Sequence, residues 1–132
     1  MRCVLDASIA AAWLLPDERS AMADRIMEIV SSQGADCPLI WWYEVRNLLI
    51  VAERRSRIEH GAADHLTGLL ALMQIEFAGI PNSAALLSLA RTHNLTIYDA
   101  AYLDLAKQRG APLATLDKRL AEAARAEGVT LA

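Results

Sequence analysis

Four acidic residues, Asp6, Glu44, Asp99 and Asp117, stand where carboxylates can do chemistry. Asp6 closes the apolar run Cys3-Val4-Leu5, and Asp117 closes Ala114-Thr115-Leu116, so each aspartate marks the point where a strand-like segment gives way to a helix-like one. Ile97-Tyr98-Asp99 repeats that local text with a shorter apolar lead. Each aspartate alone is explained by helix capping, because Asp accepts backbone N–H bonds and suits the positive end of the helix dipole. Glu44 has no such explanation. It lies three residues after Trp41 and four before Leu48, on the apolar stripe of its helix. A carboxylate turned toward a core must be paired, protonated or bound to a cation. An arginine partner is one resolution, and a cation shared with the three aspartates is the other.

Four carboxylates gathered within a few ångströms repel strongly, and no lysine or arginine stands beside all of them in sequence. A hard divalent cation removes the repulsion. An all-oxygen ligand set selects Mg²⁺, with Mn²⁺ as a substitute, over zinc, and His60, His65 and His93 lack zinc-ligand spacing and are expected on the surface or in loops. Magnesium held by carboxylates on an α/β sheet edge serves phosphoryl chemistry, since it acidifies water and offsets charge on a phosphate. Hydrolysis of a phosphodiester fits. Ser8, two residues after Asp6, and Thr115, two before Asp117, are placed to bond the acids or a phosphate, or to serve turns and caps. Asn47 shares the face of Glu44 one turn on and is placed to orient it or a water. Asp104, five residues beyond Asp99, rotates to another face and reads as a solvated surface residue.

The elements that must position these groups follow from periodicity and breakers. Residues 2–5 read as a strand, the segment up to Leu15 as a helix ended by Pro16, and 20–32 as an amphipathic helix stopped by Gly34. Residues 36–39 make a second strand. A helix over 40–57 carries the stripe Trp41, Val45, Leu48, Leu49 and Ala52, and adjacent Trp41 and Trp42 cannot both face inward. Further helices are expected over 62–73, from Pro81-Asn82-Ser83 to Asn94, from Asp99, and from Asp117 to Ala126, with strands at 75–80, 112–116 and, as a last edge, 129–131. Alternating helices and short strands predict an α/β three-layer α/β/α fold with a central, mainly parallel sheet of four to five strands, filling residues 1–132 as one domain. In a parallel sheet the ends after Leu5 and Leu116 share one edge, where ligands of open α/β sheets bind.

Composition sets the remaining bounds. A chain of 132 residues, 55% hydrophobic and 22% charged, can bury one core. Cys3 and Cys37 are too few for a disulfide scaffold and are expected reduced and buried. The opening residues lack a signal-peptide layout, and the most apolar run, 39–52, is too short for a membrane span and carries Glu44, Arg46 and Asn47. A cytoplasmic protein is expected. A net charge of −3 speaks weakly against a nucleic-acid partner; setting four of the 16 acids aside for metal leaves 12 against 13 basic groups. Arg46, Arg91, Lys118 and Arg119 are the candidate phosphate contacts, with a solvated face as the alternative for each.

Four stretches in order, Val-Leu-Asp6-Ala-Ser8, Glu44-Val-Arg-Asn47, Tyr98-Asp99-Ala-Ala-Tyr102 and Thr115-Leu-Asp117-Lys-Arg-Leu, resemble the PIN domains, in particular VapC-type toxins of toxin–antitoxin pairs. The resemblance spans nearly the whole chain. It implies Asp6, Glu44, Asp99 and Asp117 as metal-binding acids, with Ser8, Asn47 and Thr115 as supporting residues. It further implies a Mg²⁺-dependent endoribonuclease acting on RNA, a homodimer, and a small antitoxin that inserts a segment near the site. A housekeeping RNA-processing nuclease of the same family is the alternative role. Two other classes fit less well. A phosphoacceptor signalling domain wants paired acids after the first strand and a lysine after the last, whereas Ala7 follows Asp6 and Lys118 lies beyond Asp117. A non-catalytic binding module on the same sheet would have lost metal binding.

Overall fold

Strands of two or three residues hold together as a sheet only when both faces are covered and their backbone groups pair completely. A computed structural model describes residues 2–132 and shows this arrangement. Strands β1 (Cys3–Leu5), β2 (Ala35–Cys37), β3 (Ile75–Phe77) and β4 (Leu113–Ala114) lie in the order β3-β2-β1-β4. Every pairing is parallel. The crossovers are helical: α1 (Ala7–Leu14) and α2 (Ala21–Gln33) lead to β2, and α3 (Leu39–Arg54) and α4 (Ala62–Leu70) lead to β3. Next, α5 (Ser83–His93) and α6 (Ile97–Arg109) lead to β4, and α7 (Lys118–Ala126) follows it. α1 packs on α2 and α3, and α6 packs on β1, β4, α5 and α7. Among the described residues no helix is long and apolar enough to cross a membrane.

The chain runs outward from β1 to β3 and then returns to the other side of β1 for β4. The crevice between the carboxyl ends of β1 and β4 is therefore the point where strand order reverses. Asp6 N–H donates to the Ala114 carbonyl at 3.0 Å, so the ladder carries the backbone of Asp6 itself to that edge. Beneath it, Leu5, Ile9, Trp41, Leu49, Tyr102, Leu103, Leu113 and Leu120 are fully buried. A side chain of that size contributes roughly 1.5–3 kcal/mol when removed from water.

Several boundaries differ from the sequence-based expectation. The expected last strand, 129–131, is reduced to one parallel bridge between Leu113 and Leu131, so the sheet has four strands. Helix α3 ends at Arg54 rather than 57, and Ser56 takes a positive φ of 56°. Arg57 is thereby released to grip Asp17 and Glu18 at 2.7 Å in the 3-10 turn Pro16–Glu18. Asp104 is buried, not solvated, and accepts from Gln108 Nε2 at 3.1 Å. Single-face reasoning fails on α6 because every residue from Tyr102 to Ala106 is buried among the sheet and its neighbouring helices. His60 and His65 are exposed, whereas His93 is half-buried, its Nε2 lying 2.6 Å from Glu127 Oε2. Both cysteines are free and buried, and Trp41 faces inward while Trp42 faces out.

One charged group lies in the sheet without belonging to the site. Asp36, in the middle of β2, is buried and meets Arg2 Nη2 at 3.0 Å and Arg109 Nη1 at 3.4 Å. Arg2 precedes β1 and Arg109 ends α6, so this pair closes the end of the sheet opposite the acids.

The turn from α2 into β2 depends on Gly34, whose φ of 76° and ψ of −176° are open only to glycine. A Cβ there would meet the Gln74 carbonyl at 2.7 Å, and that carbonyl accepts the Ala35 N–H. Gly34→Ala is expected to lose about 2–3 kcal/mol, read as a lower denaturant midpoint at unchanged slope. An unchanged midpoint would show that the turn relaxes freely.

Candidate functional site

Asp6 sits at the N-cap position of α1, yet its side chain caps nothing. Oδ2 instead accepts from the Thr115 hydroxyl at 2.6 Å and the Ser8 hydroxyl at 2.8 Å. Those hydroxyls do double duty, since Ser8 Oγ accepts from Leu116 N–H at 2.9 Å and Thr115 Oγ1 accepts from Asp117 N–H at 3.0 Å. Two strand-to-helix turns are thus stitched together around one carboxylate. Both readings offered for Ser8 and Thr115, acid partner and turn former, hold at once. Among the described residues Asp6 Oδ1 has no side-chain partner.

The other two aspartates divide between the readings. Asp117 does cap its helix, Oδ1 accepting from Arg119 N–H at 2.9 Å and Leu120 N–H at 3.2 Å, which leaves Oδ2 available. Asp99 is not a cap. Helix α6 begins two residues earlier, with Thr96 as the N-cap accepting from the Asp99 N–H at 3.1 Å, and Asp99 occupies the first turn. Asp6 and Asp117 are the N-cap residues of α1 and α7, and Asp99 lies in the first turn of α6, so each stands near the positive end of a helix dipole.

Glu44 lies at the edge of the α3 stripe, half-buried beside the fully buried Val45. No arginine reaches it, and its Oε1 is buried with no hydrogen-bond partner. Burial, then the charges of Asp6 and Asp99, push its carboxyl up to about 7. Burial also raises Asp6, against the bonds from Thr115 and Ser8, and the charge of Asp117 adds to the rise. Asp99 is raised by burial and by Asp6 and Asp117, with the Thr96 hydroxyl opposing. Glu44 and Asp99 line one cleft, and Asp6 acts by its charge on both of them, while Asp117 acts on Asp6 and Asp99. Asn47 lines that cleft with Glu44, Thr96 and Asp99 but makes no hydrogen bond to Glu44 among the described residues.

Tyr102 was not singled out by sequence reasoning. It is fully buried three residues after Asp99, and its hydroxyl, close to Glu44, lacks a hydrogen bond of standard geometry. Burial and the Glu44 charge raise it well above the ordinary range, so it stays a neutral donor. The spacing from Asp99 was the available signal. Of the candidate phosphate contacts, Arg119 reaches the Asn94 carbonyl at 2.6 Å beside the site, and Arg46 lies 3.8 Å over the Trp42 ring. Arg91 and Lys118 are exposed.

A divalent cation fits this donor set. The ligands are oxygens only, one of them is a buried orphan, and the charge of Arg119, which favours the ionised Asp99, does not offset the rise from burial and the other acids. Among the described residues no group of three or more His, Cys, Asp or Glu side chains is arranged so as to hold a metal ion.

The crossover order, with an acid cluster at the strand-reversal point, defines the class. The chain belongs to the PIN domain family, whose sequence model matches residues 3–126. Ribonuclease VapC3 of Pyrobaculum aerophilum is 36% identical over 127 residues, covering 92% of this chain and 94% of that protein. The fold resembles that of PAE2754 from the same organism, with a TM-score of 0.71, 23% identity, and coverage of 93% of this chain and 84% of that one. It also resembles FitAcB from Neisseria gonorrhoeae, with a TM-score of 0.68, 18% identity, and coverage of 98% and 95%. A toxin–antitoxin complex from Klebsiella pneumoniae aligns with a TM-score of 0.57 at 18% identity, over 87% and 86%.

The raised carboxyls have a measurable consequence. Because the folded Glu44 titrates near 7 and the unfolded one near 4.5, its protonation supports the fold fully below about 4.5 and ceases to do so as pH rises through about 7. Asp6 and Asp99 shift in the same direction. In chelator, stability is therefore expected to fall between pH 5 and 7.5, and Glu44→Gln to flatten that fall without unfolding the protein. A large loss of stability in Glu44→Gln at pH 5 would instead reveal a structural ion pair.

Proposed function

We propose that this protein is a Mg²⁺-dependent endoribonuclease, able to use Mn²⁺, that acts as the toxin of a type II toxin–antitoxin pair. The observation that carries the reading is the half-buried Glu44 carboxylate, its Oε1 without a hydrogen bond of standard geometry among the described residues, under the charges of Asp6 and Asp99 at the carboxyl edge of a parallel sheet. The similarity to a ribonuclease along nearly the whole chain supports it. So does the fold likeness to a toxin–antitoxin complex, as likeness of fold.

In this reading the three aspartates and Glu44 hold the cation, which when bound supplies Lewis acidity toward water and a phosphate oxygen. Ser8 and Thr115 fix the Asp6 carboxylate through Oδ2, so that its other oxygen keeps one direction. Asp117 is fixed likewise by its own helix. Glu44, pushed up to about 7 by burial and by Asp6 and Asp99 while no cation is bound, would release its proton as the cation binds. Tyr102 stands behind it as a neutral donor, and Asn47 lies at the cleft to orient water or phosphate. Hydrolysis forms one new P–O bond from water and breaks one P–O ester bond, the water proton ending on the departing oxygen. The exposed Arg91, Lys118 and Arg119 and the half-buried Arg46 are the available phosphate contacts. A homodimer, silenced in the cytoplasm by a small antitoxin, completes the proposal.

Induction of the wild-type chain in a bacterial culture is expected to arrest growth, with new RNA ends in the arrested cells, while Asp99→Asn at equal expression leaves growth intact. The purified protein is expected to cleave RNA in Mg²⁺ or Mn²⁺ and to lose activity on the order of 100-fold or more in EDTA or as Asp99→Asn. Cleavage that survives both changes would sink the reading. Cleavage in vitro without growth arrest would favour a housekeeping nuclease over a toxin.

A further inference from the structure

On each of two helices, the residue before a site acid is an exposed tyrosine. Tyr43 precedes Glu44 on α3 and Tyr98 precedes Asp99 on α6, and each ring is 59% exposed. Both line the cleft of about 350 Å³ that also holds Glu44, Asn47, Thr96 and Asp99. Neither hydroxyl makes a hydrogen bond among the described residues. An apolar side chain exposed singly needs no explanation, but these two rings stand together at the mouth of the cleft that holds Glu44 and Asp99.

The ring of Tyr43 is also propped. Trp42 meets it edge-on, with centroids 5.1 Å apart and planes at 71°. Arg46 in turn covers Trp42 at 3.8 Å and donates from Nη1 to the Trp42 carbonyl at 3.1 Å. A cation–aromatic–aromatic stack of this kind sets the ring before a ligand arrives, which lowers the ordering entropy lost on binding.

Resting on the ribonuclease reading above, we propose that Tyr43 and Tyr98 are base-stacking residues that hold unpaired nucleobases of a single-stranded RNA on either side of the phosphate presented to the acids. Unstacked bases offer π-faces to aromatic side chains, whereas a duplex keeps its bases stacked on each other, out of reach. Stacking accepts any base, so the two rings select unpaired strand and leave sequence choice to other groups. Trp42 and Arg46 are positioning residues for Tyr43.

The test uses the full chain and a fluorescein-labelled oligoribonucleotide that the wild type cleaves at one position. It is offered as a single strand, as a duplex with its complement, and with abasic nucleotides flanking the cleaved phosphate. Tyr43→Ala and Tyr98→Ala are each expected to raise KM on the order of 10-fold with kcat nearly unchanged, and Tyr→Phe at either position to restore it. The abasic strand is expected to lose a similar factor with wild type and little further with the alanine variants, and the duplex to be a poor substrate. Unchanged KM in both alanine variants, or full cleavage of the abasic strand, would overturn the proposal. So would a Tyr98→Ala defect that vanishes on raising protein concentration while the native mass falls, which would place the ring in a protein–protein contact. Should the wild type cleave no strand, the nuclease reading fails by itself. Stacking would then still be read from binding of the labelled strand by anisotropy, with weakening in the alanine variants expected and equal affinity overturning it.

Discussion

Repulsion among carboxylates brought to one sheet edge is the constraint around which the rest of this structure is arranged. Asp6, Glu44, Asp99 and Asp117 come from four segments spread along nearly the whole chain, and each of the first three has its charged form disfavoured by burial and by its neighbours. Folding them together opposes stability unless something positive arrives or protons remain. The protein supplies partial relief through helix starts and two hydroxyls, and it leaves one buried Glu44 oxygen with no partner. An incomplete balance of that kind leaves room for a cation, because a complete set of arginine partners would fill the place of an ion.

The scaffold answers this strain with rigidity at the same place. Ser8 and Thr115 each bond the Asp6 carboxylate and a backbone N–H across the β1 and β4 ends, so moving one acid means breaking two turns. Asp117 does the same within its own helix. At the far end of the sheet the opposite solution prevails: Asp36 is buried too, but Arg2 and Arg109 neutralise it. The contrast between a paired acid at one pole and unpaired acids at the other separates a structural charge from a functional one.

The outer surface extends the same logic. Tyr43 and Tyr98 stand at the cleft mouth beside the half-buried Glu44 and Asp99 because consecutive helical positions are rotated by roughly 100°. The aromatic lip and the acid floor are thus consequences of one helical geometry. Tyr102, one turn from Asp99, forms the inner wall by the same spacing.

Strand-to-helix alternation, the apolar lead before Asp6 and Asp117, and the stripe of α3 are local patterns, and these alone determined the fold class, the parallel sheet and the four helices in or before which the acids stand. Family resemblance in four ordered stretches brought the same four residues together. Tertiary structure decided what depends on contacts distant in sequence. It showed that Asp6 is bonded by hydroxyls rather than capping, that Asp99 sits inside a helix capped by Thr96, and that Glu44 meets no arginine. It also buried Asp104, because α6 is enclosed on nearly every side, and shortened the last strand to one bridge. The physical reason is the same in each instance. Periodicity reports which face of an element avoids water, but whether a polar group on that face finds a donor, a charge or nothing depends on what other segments bring to it.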